Sequence, residues 1–221
     1  RMMRAYEAMG CEPSWTCAPY QAGHRPAQGS DVAWGESNAV VFCNSVLGAR
    51  TNRYGDFLDI ACAIAGRAPD YGLHRPKNRV ATLLIDVNGL SRELRSSDVF
   101  YPVLGTILGR RAGSDIAVIE GLQSCTTEDR LKALGAAAAS AGGVGLFHVA
   151  GVTPEAPDAA TALGGIAPRE TIELTPNDIA SALARLSTAG QTDRVDAVAI
   201  GSPHLSLAEI DELERLVAGR R

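Results

Sequence analysis

Hydrophobic positions along the chain fall into two kinds of run. Short, nearly unbroken apolar stretches at Ala81–Val87, Asp115–Ile119, Val144–Val149, Thr171–Leu174 and Asp196–Ile200 have the length of buried strands. The stretches between them carry helix signals. Val99–Arg110 predicts a helix, and Thr126 with Asp129 three residues on predicts another, its Ala-rich run stopped at Gly142-Gly143. Thr175-Pro176-Asn177-Asp178 puts an N-cap threonine before a proline at the first helical position and an acid at the third. Ser206 with Glu209 is a capping box ahead of the final helix. Strands alternating with helices pair mostly in parallel through right-handed crossovers, so the fold class is α/β.

The N-terminal third reads differently. Cys11–Gly35, with several prolines and glycines, predicts loop or extended chain. Ser37–Ala49 predicts a helix buried on most faces. Asp56–Ala65 predicts an amphipathic helix, with Phe57, Ile60, Ala61 and Ile64 on one face, a stop at Gly66 and Pro69 beyond. Three segments follow: a helix- and loop-rich part over 1–79, a first α/β unit over 80–150, and a connector plus second α/β unit over 151–221. No internal repeat is visible.

Composition narrows the function classes. The 221 residues are 46% hydrophobic and 21% charged, enough apolar material for a core and too little net charge for a disordered chain. The formal net charge is −4 without basic clusters, which argues against nucleic acid as a partner. No apolar stretch has the roughly 20 residues that span a bilayer, so no membrane partner is expected. Five scattered cysteines (Cys11, Cys17, Cys43, Cys62, Cys125) behind an Arg1-Met2-Met3-Arg4 start predict reduced thiols in a cytoplasm. Residue 1 is Arg rather than Met, which reads as a piece of something longer.

Common motifs are missing: no Walker loop, GxGxxG, HExxH, zinc-spaced CxxC or GxSxG. Instead, Glu36, Ser37, Asn38, Asn44, Ser45, Arg50, Thr51, Asn52 and Arg53 crowd around the apolar run Ala39–Leu47. One reading makes them donors for an anionic ligand, with Arg50 a bidentate clamp for carboxylate or phosphate. The other makes them caps, with Ser37 and Asn38 starting the helix and Arg50 and Arg53 favoured by the dipole at its end. Cys17, in Trp15-Thr16-Cys17-Ala18-Pro19-Tyr20, is a loop thiol suited to metal ligation or nucleophilic work. His148 reads as a hydrogen-bonded core histidine. His204 follows a predicted strand's carboxyl end, where open α/β sheets place ligands.

Taken together, Thr16–Tyr20, Gly35–Arg53, Tyr54-Gly55-Asp56, Gly66–His74, Phe147-His148, Gly151–Pro157 and Gly201–Glu209 resemble the large, catalytic part of the aconitase X family. That branch of the aconitase superfamily contains cis-3-hydroxy-L-proline dehydratases and mevalonate 5-phosphate dehydratases. The resemblance implies an aconitase-like fold and a hydro-lyase acting on a small hydroxylated carboxylate. It also implies an iron–sulfur cluster or iron as Lewis acid, and a small swivelling domain or subunit of the same enzyme as partner. Cys17 matches the first metal-ligand position. Ser37, Asn38, Asn44, Arg50 and Thr51 are then candidates for holding the substrate's anionic group, with Thr153, Glu155 and His204 lining the same cleft. The catalytic base is not identified; the family's serine base and third cysteine belong to parts outside this sequence.

One departure stands out. Where the family usually has Gly-Cys-Pro-His, this chain reads Gly201-Ser202-Pro203-His204, so a hydroxyl stands at the second metal-ligand position. Three readings follow: an altered or mononuclear iron site, a diverged inactive relative, or compensation by Cys43. The rival to a dehydratase is a cluster-less, non-catalytic carboxylate-binding or assembly module of the same fold.

Overall fold

The computed structural model describes residues 1–55, 57–188 and 195–219. Its elements run α1 (Met2–Ala8), α2 (Ser37–Ser45), α3 (Leu58–Ala65), β1 (Leu83–Asp86), α4 (Arg92–Arg95), α5 (Phe100–Ala112), β2 (Ala117–Glu120), α6 (Glu128–Ala141), β3 (His148–Val149), α7 (Ala159–Ala162), β4 (Glu170–Glu173), α8 (Pro176–Leu186) and α9 (Leu207–Val217).

The expected α/β class is what the chain adopts. Four strands form one sheet in the order β3-β2-β1-β4, every pair parallel. Leu83 lies opposite Ala117 on one side and Glu170 on the other, so β4, from the third predicted segment, joins the sheet begun in the second. One face is covered by α5, α6 and α8: Phe100, Leu104, Leu108, Leu134 and Ile179 pack over Leu83, Ile85 and Ile119. The other carries a smaller layer of Ala81, Val118, Ala150, Ala156 and Leu163.

Helices α5 and α6 meet backbone to backbone at small residues. A Cβ on Gly109 would stand 2.6 Å from the Ala138 carbonyl oxygen, and one on Gly105 would collide with that of Leu134. Helix α2 lies against α6, where a Cβ on Gly135 would stand 3.0 Å from a Val41 methyl.

Several local expectations need correction. The N-cap of α6 is Thr127, whose hydroxyl accepts from Arg130 N at 3.2 Å, one residue beyond Thr126; the Thr126 hydroxyl donates instead to Leu122 O at 2.7 Å. Helix α2 ends at Ser45, short of Ala49, and Glu36 caps it, its carboxylate accepting from Ala39 N at 2.8 Å. Helix α3 forms, but of its residues only Cys62 is buried, while Phe57 is 60% and Ile64 71% exposed. Periodicity says which side chains share a side; it does not say that the fold supplies a surface for them. Asp196–Ile200 is not a strand: it joins no ladder, and Val198 is 78% exposed. A strand is made by its neighbour's hydrogen bonds, and the sheet does not extend to this run. The capping boxes at Thr175/Asp178 and Ser206/Glu209 are both formed.

Candidate functional site

The loop around Cys17, the start of α2, the side of α6 and the 201–205 loop enclose a cleft of about 380 Å³. Cys17, Ser37, Asn38, Lys132, Ser202 and Glu209 are among its lining residues. Two segments about 187 residues apart in the chain meet here: His204 N donates to Cys17 Sγ at 3.4 Å, and His204 Nδ1 lies 3.1 Å from Thr16 Oγ1.

Local chemistry explains why Cys17 is held there. Asn38, in the first turn of α2, donates from Nδ2 to Cys17 O at 2.6 Å, while its Oδ1 accepts the Tyr20 hydroxyl at 2.7 Å. Tyr20 stacks on Phe42 at 3.7 Å between ring centroids, fastening the loop to α2. Burial, and after it the neighbouring thiol and carboxylates, push the Tyr20 phenol well above its ordinary range, so it stays a donor. The main chain of Cys17 is thus fixed while its sulfur faces the cleft.

The opposite wall is fastened by Lys132, which the sequence reading passed over. Its side chain is almost wholly buried, and Nζ reaches Asp129 at 3.0 Å, Glu209, Gln21 Oε1 at 3.4 Å and His204 O at 3.4 Å. The available signal was a lysine three residues after Asp129, inside the apolar spacing of α6. Ser206 Oγ adds a bond to Asp129 at 2.8 Å. One ammonium therefore ties α6, α9 and both loops of the cleft together.

The remaining predicted site residues lie elsewhere. Asn44 donates to Thr51 O and Gly145 O, each at 2.8 Å, and its Oδ1 accepts from Thr51 N and Arg79 Nη1, both at 3.0 Å. Arg79, 4% exposed and unflagged by the sequence, is the hub of this network. It also reaches Asn44 O at 3.0 Å, Ala49 O at 3.2 Å and Glu155 at 2.8 Å. Glu155 is thereby an ion-pair partner within the fold. The Thr153 hydroxyl closes a turn on Val149, accepting from its N at 2.9 Å. Arg50 bridges to Asp31 through its backbone, and its Nε is buried without a hydrogen-bond partner. Arg53 donates to Gly142 O at 2.8 Å, so it serves the carboxyl end of α6 rather than that of α2. Cys43 is fully buried and its thiol is pushed up to about 12 by burial, which makes it a protonated core side chain.

As a metal centre the chain's own donor set is incomplete. The cleft offers the Cys17 thiol with Ser202 at the second expected ligand position, and its Glu36 and Glu209 carboxylates are engaged by Ala39 N and Lys132. Among the described residues no group of three His, Cys, Asp or Glu is placed to hold a metal ion. Nor, among them, is any helix long and apolar enough to cross a membrane.

The comparisons agree with this architecture. Family models described as the aconitase X first domain and second domain match residues 1–77 and 81–184. The chain belongs to the aconitase X family. It is 48% identical over 221 residues to a cis-3-hydroxy-L-proline dehydratase of Pseudomonas aeruginosa, covering all of this chain and 37% of that protein. It is 45% identical over 210 residues to a phosphomevalonate dehydratase large subunit of Methanothermobacter thermautotrophicus, covering 95% of this chain and 50% of that one. A crystal structure of Thermococcus kodakaraensis aconitase X in its holo-form superposes with a TM-score of 0.83 at 38% identity, covering 96% of this chain and 52% of the other. The chain spans about 37–54% of the length of the curated relatives it matches.

Proposed function

We propose that this chain forms the large-subunit-type catalytic part of a hydro-lyase that removes water from a small hydroxylated carboxylate. The carrying observation is the meeting of Cys17 and Ser202, from opposite ends of the chain, in one cleft against the first turn of α2, with His204 N donating to Cys17 Sγ behind it. Relatives of both kinds are named dehydratases.

In this reading the substrate's anionic group meets the Ser37 hydroxyl at the edge of the first turn of α2, whose Ala39 N is already taken by the Glu36 carboxylate. Asn38 fixes the Cys17 backbone, and His204, its Nδ1 held beside Thr16, braces the Cys17 sulfur through its backbone N. Cys17 is one ligand of an iron–sulfur or iron centre, with Ser202 beside it as a weak oxygen donor. Such a centre would act as Lewis acid on the leaving hydroxyl. Cys17 and Ser202 alone do not complete it, so the remaining thiolate comes from a further segment of the enzyme, while the serine base comes from a small swivelling domain or subunit as partner.

Anaerobic incubation with iron and sulfide in the presence of that partner tests the reading. The expected result is visible absorbance that Cys17→Ser abolishes, together with dehydration of cis-3-hydroxy-L-proline or mevalonate 5-phosphate. A colourless wild type under these conditions overturns it. Ser202 itself favours a second reading, a cluster-less carboxylate-binding module; carboxylates that raise the melting temperature without metal, and without turnover, support that one.

A further inference from the structure

Outside the Cys17 cleft, three titratable side chains stand in line. Tyr54 Oη lies 2.5 Å from His74 Nε2, and His74 Nδ1 lies 2.7 Å from Asp31 Oδ1. A carboxylate only accepts, so Nδ1 carries a proton toward Asp31, and Nε2, at the other end of the ring, is the nitrogen placed to take the Tyr54 hydroxyl proton. The order is phenol, imidazole, carboxylate, each oriented by the next. The His74 side chain is 4% exposed, whereas that of Asp31 is 54% exposed.

The sequence fixes this line through the turn at Gly72–His74. Gly72 takes φ +58°, and Asn52 secures both sides of the turn, accepting from Leu73 N at 2.7 Å and donating to Tyr71 O at 3.0 Å. A Cβ on Gly72 would meet the Asn52 amide, so the glycine is required sterically as well as by its dihedral. The same strip of chain, Asn52 to Tyr54, presents the phenol. Asp31 and His74 line a cleft of about 640 Å³ beside Cys62. Tyr54 lines a different one, of about 470 Å³, walled by Leu58, Leu73, Ile116 and Leu146 with Arg53 at its edge.

We propose that Asp31, His74 and Tyr54 form a relay site of their own, in which Tyr54 Oη attacks the acyl carbon of small esters whose apolar body is held in the cleft beside it. The Oη–carbon bond forms as the phenolic proton passes to His74 Nε2, and the Asp31 carboxylate stabilises the imidazolium. Collapse of the tetrahedral adduct expels the leaving oxygen, which takes the proton back from His74 and leaves acyl-Tyr54. No electron is gained or lost overall. Burial holds the Tyr54 hydroxyl protonated, above the ordinary phenol range. Its reactivity therefore comes from transfer to His74 during attack, as for any weak nucleophile backed by an oriented base.

p-Nitrophenyl acetate offered to the full chain tests this, with nitrophenolate release followed by absorbance and acetylated tyrosines located by mass spectrometry. Acetylation at Tyr54 is expected at least tenfold faster than at the exposed Tyr71. It falls at least tenfold in Asp31→Asn and His74→Gln, and nitrophenolate release falls with it in Tyr54→Phe. Should His74→Gln fail to fold, the rim variant Asp31→Asn and the Tyr54-to-Tyr71 ratio in the wild type still decide. Equal labelling of Tyr54 and Tyr71, or an unchanged rate in Asp31→Asn, overturns the proposal.

Discussion

Lys132 Nζ lies 3.4 Å from the carbonyl oxygen of His204, seventy-two residues further along the chain, and the same ammonium pairs with Asp129 and Glu209. Removing the charge leaves two partly buried carboxylates facing each other without a cation. Lys132→Met keeps the stem's packing, so the cost is electrostatic, about 1–3 kcal/mol. Because α9 has no fully buried residue of its own, that cost falls on its docking. Limited proteolysis and hydrogen exchange are expected to show the segment 201–217 opening in Lys132→Met, while protection in α5 and α6 stays at wild-type level. Equal protection of 201–217 in both proteins would show that the ammonium does not hold the cleft shut.

Arg79 tests a different kind of polar burial. Its guanidinium spans the Asn44 side chain, the carbonyls of Asn44, Leu73 and Ala49, and the Glu155 carboxylate. Truncation strands all of these at once, so Arg79→Met is expected to cost about 3–5 kcal/mol. Arg79→Lys recovers little, since a point-like ammonium cannot reach a fork of carbonyls. Urea unfolding of the two variants gives the comparison, and a lysine variant within 1 kcal/mol of wild type (on the order of a salt-bridge increment) would refute the argument.

These two residues also show what a sequence does and does not disclose. Strand and helix identities in the 83–186 region were readable because each depends on near neighbours: apolar runs for β1 and β2, and Thr175 with Asp178 for α8. Cys17, Asn38 and Ser202 were readable as site candidates through family resemblance, and they share a cleft. Asn44 and Thr51 drew attention as polar groups around an apolar run and Glu155 as a loop residue after a strand, but Asn44 and Glu155 pair with Arg79, and Thr51 with Asn44. An arginine ahead of a strand carries no local mark of its burial, because all but one of its partners lie 30 or more residues away in the chain. Lys132 was hidden likewise, and so was the exposure of Phe57 and Ile64, which depends on what the fold leaves uncovered.

The seam between α5 and α6 allows a sharper test of packing. Gly109 faces the Ala138 carbonyl so closely that a methyl group at its Cβ would sit 2.6 Å from that oxygen and 2.9 Å from the Ala141 Cβ. Gly109→Ala improves helix propensity by roughly 1 kcal/mol, yet the obstacle is backbone, which cannot rotate away. Overpacking of about 1–3 kcal/mol is therefore expected to win. Thermal denaturation should show a lower midpoint for Gly109→Ala. A rise would mean that the helices separate at little cost.

His148 gives the fold a pH dependence with a definite sign. The ring is 2% exposed, and its Nε2 lies 2.8 Å from the Arg79 carbonyl oxygen. A carbonyl only accepts, so Nε2 carries the proton and Nδ1, buried without a partner, carries the lone pair. A second proton on Nδ1 would put a buried, unpaired N–H on a cation close to the Arg79 guanidinium. Burial accordingly lowers the His148 pKa from its ordinary value of 6.5, with Arg79 acting in the same direction and Glu155 and the Arg79 carbonyl opposing. The unfolded chain then binds the proton more readily than the folded one between the lowered value and about 6.5. Stability therefore falls as pH drops below about 6.5 and levels off once the folded ring also protonates. Asp158 and Asp178, lowered by their Thr161 and Thr175 hydrogen bonds, act in a separate window: their contribution is lost only as pH falls below about 3.8. Urea unfolding at pH 7 and pH 5 is expected to show wild type weaker at pH 5, with a smaller difference in His148→Gln, whose amide can still donate to the Arg79 carbonyl. The same pH difference in both proteins would assign the dependence to another group.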